Sequence, residues 1–75
     1  MKSDKVLDAK GLACPMPVVQ AKKAMDELDS GQVLEVQASD KGSWKDIPAW
    51  AKTAGHEMVA QREEEGMYRF WIKKK

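Results

Sequence analysis

Residues 32–38, QVLEVQA, alternate cleanly from Val33 on: Leu34, Val36 and Ala38 fall on one side, Glu35 and Gln37 on the other. A period of two marks a strand with one buried and one solvated face. This strand constrains the fold because both of its flanks read as helices. Ahead of it, Val18, Ala21, Met25 and Leu28 recur at spacings of three and four, while Lys22, Lys23, Asp26 and Glu27 lie mostly off that stripe. That is one face of a helix following the segment CPMP. Ser30-Gly31 is expected to end it, with glycine supplying a left-handed cap. Beyond the strand, SDKGS reads as a loop. Ile47, Trp50, Ala51 and Ala54 then mark a second helix over roughly 44–54, with Gly55 just past its end. Its start has two readings. Ser43 to Asp46 fits a capping box, which leaves Pro48 just past the first turn, where it loses a hydrogen bond. A start at Asp46 instead places Pro48 harmlessly inside the first turn.

A short strand at 5–9 precedes the first helix. Two more strands, at about 56–63 and 67–73, finish the chain around the turn EEEG. They predict an antiparallel hairpin with Tyr68, Phe70 and Ile72 on one face and Met67, Arg69, Trp71 and Lys73 on the other. The order βαβαββ predicts an α/β (α+β) two-layer sandwich, a four-stranded mixed sheet with both helices packed on one face. Residues 1–75 are read as a single domain. One cysteine cannot form an internal disulfide, and His56 is the only histidine, so neither a disulfide nor a structural zinc site staples so short a chain. No metal and no cofactor are expected.

Charge is high but balanced, 13 basic against 12 acidic residues. Bulk charge therefore makes no nucleic-acid face. No apolar run reaches membrane length, and MKSDKVLD has no apolar signal core. The expectation is a cytoplasmic monomer whose lone thiol stays reduced.

That thiol is Cys14, in GLACPMP. With Cys14 at the helix entrance, Pro15 becomes the first helical residue, where its fixed φ helps. Pro17 still lies in the first turn. The prolines stiffen the backbone and remove two of the first-turn N–H groups. The Met16 amide is then the best-placed donor to the sulfur, and the helix dipole adds positive potential. Lys10 adds more if its loop folds back, and Gly11 lets the chain turn. Helix N-termini favour the thiolate, which is the nucleophile, and the same field suits a persulfide anion. Set against this, free cysteine often packs as a small hydrophobe, with Leu12 and Ala13 beside it. A Cys-His hydrolase needs a placed base, and a thioredoxin-type site needs a second cysteine. A reactive Cys14 therefore holds a group and hands it on.

LDAKGLACPMPVVQAKKAM resembles the start of the TusA/SirA/YedF family of sulfur carriers, KDIPAWAKTAGHEM its second helix and third strand, and YRFWIKK its last strand. The resemblance implies the same two-layer sandwich and a persulfide on Cys14. It implies a cysteine desulfurase or rhodanese-like donor and a DsrE-like or other thiol acceptor. The routes served in that family include tRNA thiouridine, sulfur oxidation and molybdenum-cofactor enzymes, with no direct contact to nucleic acid or membrane. Two features depart from the family pattern. Met16 stands where the tRNA-thiolation member has glutamate, and SDKGSW keeps only Asp40 of an otherwise acidic loop. Alternative readings are a regulatory or interaction module of the same fold, and a thiol redox sensor. Met16 reads as a soft partner contact or a core filler, Trp71 as a docking anchor on the open sheet face or a cover beside Arg69. His56 reads as a strand-edge residue.

Overall fold

The computed structural model describes residues 3–13 and 16–75. Its elements are β1 (Lys5–Ala9), α1 (Met16–Asp26), β2 (Val33–Ala38), α2 (Ser43–Ala54), β3 (Glu57–Glu64) and β4 (Met67–Lys73). The strands lie in the order β1-β2-β4-β3. β1 runs parallel to β2, and the other two pairings are antiparallel. α1 packs over β1 and β2, α2 over β4 and β3, and the helices touch each other. This is the mixed-sheet, two-layer sandwich that the hydrophobic patterns predict.

The alternation in β2 fixes the layer boundary. Leu34, Val36 and Ala38 are fully buried, and register places them beside Ile72, Phe70 and Tyr68 of β4. A one-residue slip would turn this whole apolar set to solvent. Ala21, Ala24 and Met25 meet the sheet from α1, Ile47 and Ala51 from α2. Phe70 is the largest fully buried side chain, so truncating it to alanine should cost about 3–5 kcal/mol.

Several boundaries differ from the sequence reading. α1 stops at Asp26, and the next amides fall back on i−3 carbonyls, Glu27 on Ala24 and Leu28 on Met25. Gly31 is left-handed, φ 88°, but it turns the chain into β2, and its N–H donates to the Lys74 carbonyl at 2.8 Å. It caps no helix. α2 begins one residue earlier than expected, and no capping box forms: Gly42 is the N-cap and no side chain caps the helix. Ser43 is instead the first helical residue, 1% exposed, and its Oγ has no hydrogen-bond partner among the described residues. Tertiary burial has overridden the local cap. Pro48 consequently sits in the second turn, where the missing N–H leaves the Trp44 carbonyl without its i+4 donor.

The C-terminal end of α2 is as expected. Gly55 is left-handed, and the amides of Gly55 and His56 close onto Lys52 and Ala51. In the hairpin, Glu63 and Glu64 belong to β3. The turn is Glu65-Gly66 alone, both with positive φ, the two-residue form that suits the twist of a hairpin.

The other sheet face carries no helix. Register aligns Val6, Glu35, Trp71 and Ala60 in one row across it. Trp71 does lie on this open face, but it is only 4% exposed. The reading of Trp71 as an exposed anchor is therefore corrected. Its row neighbour Glu35 is held in place by hydrogen bonds from Ser3 and Gln37, in keeping with the alternative reading of Trp71 as part of the cover on this face.

Candidate functional site

The topology brings three separate segments to one end of the sheet. β1 and β2 are parallel and finish together, Ala9 beside Ala38, so the chain leaves both for a helix at the same end. β4 runs the opposite way and starts there, Tyr68 beside Ala38. The loop before α1, the loop before α2 and the tip of the hairpin therefore share one rim.

Cys14 and Pro15 lie outside the described residues, and the site is drawn by what flanks them. On one side the loop is tightly tied. Leu12 N–H donates to the Ala9 carbonyl at 3.2 Å, and Lys10 N–H to the Asp8 carboxylate at 3.0 Å. Gly11 has φ 84°, the left-handed region, which accounts for glycine at this turn. Its amide donates to Ser39 Oγ at 2.9 Å, joining the loop before α1 to the loop before α2. Leu12 packs against the core and Ala13 is exposed. Lys10 is exposed on the same rim.

On the other side α1 begins at Met16. Pro17 is fully buried, so the second proline is a packing residue as well as a backbone constraint. Met16 and Val19 are 40% and 37% exposed. Three residues apart on a helix, they are surface neighbours. Met16 is thus a surface residue and not a core filler. The Met16 amide, expected to address the sulfur, instead donates to the Ala13 carbonyl at 2.9 Å. The first turn of α1 holds no acidic side chain. The helix thus supplies no carboxylate of its own to the positive end of its dipole.

Asp40 stands at the start of the α2 loop, and its carbonyl accepts the Ser43 amide at 3.0 Å. Lys10, Gly11, Met16, Pro17 and Asp40 are therefore brought to one rim. Trp71 is not: it sits three residues down β4 from Tyr68, roughly 10 Å away by strand rise, on the opposite face. His56 is also remote, at the far end of α2. Its Nδ1 accepts the Lys75 amide at 3.3 Å, and its ring lies 5.5 Å from that of Trp50. Burial first, then the charges of Lys74 and Lys75, push its pKa below the ordinary histidine value.

One feature of the rim was missed in the sequence. A groove of about 290 Å³ lies between the start of α2 and the hairpin, lined by Lys41, Trp44, Lys45, Glu63 and Tyr68. Trp44 packs its ring on Tyr68 and Phe70, with centroids 5.7 and 6.0 Å away. Among the described residues no cluster of His, Cys, Asp and Glu is arranged to hold a metal ion. No helix is long and apolar enough to cross a membrane.

Comparison with known proteins gives a consistent result. The family described as Sulfurtransferase TusA matches residues 5–74. The protein YrkI of Bacillus subtilis (strain 168) is 62% identical over 74 residues, 99% of each chain. The sulfur carrier protein TusA of Allochromatium vinosum is 51% identical over 71 residues, 95% of this chain and 93% of its own. Among solved structures, a SirA-like protein from Desulfitobacterium hafniense superposes with a TM-score of 0.82 at 31% identity, covering 92% of this chain and 95% of that one.

Proposed function

The chain belongs to the TusA family, and from that premise we propose that it is a sulfur carrier that accepts sulfane sulfur as a persulfide on Cys14 and relays it to a second protein. The relatives named sulfur carrier support the carrier role. The observation that carries the assignment to Cys14 is the rim itself. Two residues after Cys14 a helix begins whose first turn contains no carboxylate, with exposed Met16 and Val19 beside it.

The chemistry is two thiol exchanges. The Cys14 thiolate attacks the outer sulfur of a donor persulfide. The new S–S bond forms on Cys14 as the donor S–S bond breaks, and the donor leaves as its thiolate. An acceptor thiolate then attacks the outer sulfur on Cys14 and releases the Cys14 thiolate. No electrons are gained or lost overall, so no cofactor is needed. The anion held between the two steps is stabilised by the α1 dipole, while the Met16 amide is engaged by the Ala13 carbonyl. Lys10 adds long-range positive potential. Pro15 and Pro17 keep the segment stiff, and Gly11 sets the turn into it.

A carrier must release each partner, so contacts to the donor, a cysteine desulfurase or rhodanese-like protein, and to a DsrE-like or other thiol acceptor, are transient. A reducing compartment such as the cytoplasm keeps the thiol available.

The test is the intact mass of wild type and Cys14→Ser after incubation with a persulfide donor, before and after a reductant. The proposal expects additions of about 32 Da, the mass of one sulfur atom, on wild type only and reversed by reductant. No addition from several donors, while the thiol still alkylates readily, would reject the carrier reading in favour of an interaction module of the same fold.

A further inference from the structure

The groove at the start of α2 is built for recognition. Its base is aromatic: Tyr68 is 7% exposed, and Trp44 is half-buried against it. Its rim is charged, with Lys41 in the turn before α2, Lys45 in the first turn of α2 and Glu63 on β3. All three charged residues are exposed, and the local balance is one positive charge in excess. Asp40, Asp46 and Glu64, the acids adjacent to these residues in sequence, do not line it. At about 290 Å³ it is below the range of drug-sized ligand sites and takes one large side chain.

Its position decides what kind of molecule brings that side chain. Tyr68 and Glu63 belong to β4 and β3, whereas the segment 10–16 leaves β1. β1 and β4 are two strand spacings apart, about 10 Å. A small thiol seated in the groove therefore lies beside β4, and β1, the strand that leads toward Cys14, is two strands away. A protein surface of ordinary interface size covers both at once. Aromatic anchors ringed by charge are where such interfaces concentrate their affinity.

We propose that this groove is the docking point for an acidic segment of the protein that exchanges sulfur with Cys14. One aromatic or large aliphatic side chain of that segment lies on Trp44 and Tyr68, and carboxylates flanking it meet Lys41 and Lys45. The identity of the partner as a sulfur-exchange protein rests on the carrier reading, whereas the groove's preference for an acidic segment does not. Lys41 and Lys45 hold an incoming partner by charge, which makes the contact fast, salt-sensitive and reversible, as a shuttle requires.

The test is an NMR titration of the full ¹⁵N-labelled chain with the capped peptide acetyl-Asp-Asp-Phe-Asp-Asp-amide. Its counterparts replace every aspartate by lysine, or the phenylalanine by alanine. The acidic aromatic peptide should give saturable shifts at the Trp44 indole N–H and at Lys41, Lys45 and Tyr68, with a dissociation constant in roughly the millimolar range. The Lys41→Glu/Lys45→Glu variant should weaken binding roughly fivefold or more, and Glu63→Lys should tighten it. Cys14→Ser should leave it unchanged. Equal binding of the lysine peptide, no saturable shift at these residues, or an unchanged affinity in the double variant would overturn the proposal. Sulfur loading of the double variant from a small-molecule persulfide separates the two ideas. Normal loading with lost peptide binding supports the groove as a docking point distinct from the thiol. Peptide binding by a wild type that loads no sulfur removes the carrier reading and leaves the groove's preference for acidic segments standing.

Discussion

α1 and α2 both begin where β1 and β2 end, and both pack on the same face of the sheet. Yet the fourth helical residue is Val19 in one and Asp46 in the other. α2 supplies a carboxylate to its own positive end, buries Ser43 at its first position and carries its proline a turn further in. α1 has no acid in its first turn, presents Met16 and Val19 to solvent, and holds Pro17 immediately after its first residue. α2 places a carboxylate in its own first turn and α1 has none there; under the carrier proposal, that leaves the positive end of α1 to the anion carried on Cys14.

The prolines give the largest contrast. Pro48→Ala should restore the hydrogen bond to the Trp44 carbonyl and stabilise the protein by about 1–3 kcal/mol, read by denaturant unfolding. Pro17→Ala should do the reverse. Its N–H is not missed in the first turn, while its ring is fully buried, so a loss of about 1–2 kcal/mol is expected. A stabilising Pro17→Ala would break the comparison.

Ser43→Ala comes next. It removes a buried hydroxyl with no partner among the described residues, and should raise stability by about 1 kcal/mol. A loss of that size would mean that the hydroxyl caps α2 after all. The charge exchange is smaller but closest to function. Val19→Asp, at an exposed site, gives α1 the acid that α2 has, and should slow alkylation of Cys14 at neutral pH roughly two- to fivefold. Asp46→Asn should cost about 0.5 kcal/mol of stability and leave the alkylation rate alone.

The smallest effect lies at the other end of α2. The pKa of His56 is lowered in the folded chain, chiefly by burial. The unfolded chain therefore binds the proton more readily, so the stability tied to neutral His56 is intact above the ordinary histidine pKa. It is lost as pH falls from there through the lowered folded value. His56→Gln should flatten this acid limb of the unfolding midpoint against pH, with sulfur loading untouched.

How much of this was legible in the sequence depends on the range of the forces involved. β2 could be read because alternation is a local pattern that the sheet enforces at every residue, and β1 and β4 follow from the same rule. The apolar stripe of α1 was legible through Leu28, which is buried although the helix has already ended at Asp26. The start of α2 was not, because serine reads as a cap unless the core claims it. The indole of Trp71 was placed on the correct face, but a strand pattern does not reveal that the row around it leaves so little of it exposed. The groove was illegible for a simpler reason. Residues 41–45, 63 and 68 meet only once β3 and β4 have paired under α2. The chemistry proposed for the CPMP segment, by contrast, is read from adjacent residues, and the Met16 amide that was expected to address the sulfur turns back to Ala13.

The most direct test of the central claim is the pH dependence of Cys14 alkylation in the full chain, set beside that of a thiol placed at the α2 N-cap by Gly42→Cys in a Cys14→Ser background. Gly42 has an ordinary helical φ of −61°, so a cysteine adopts that backbone conformation without strain. The account predicts that Cys14 titrates clearly below an ordinary thiol and below the thiol at position 42, whose helix already holds Asp46. A Cys14 that titrates at or above an ordinary thiol, or no lower than the thiol at position 42, would contradict it.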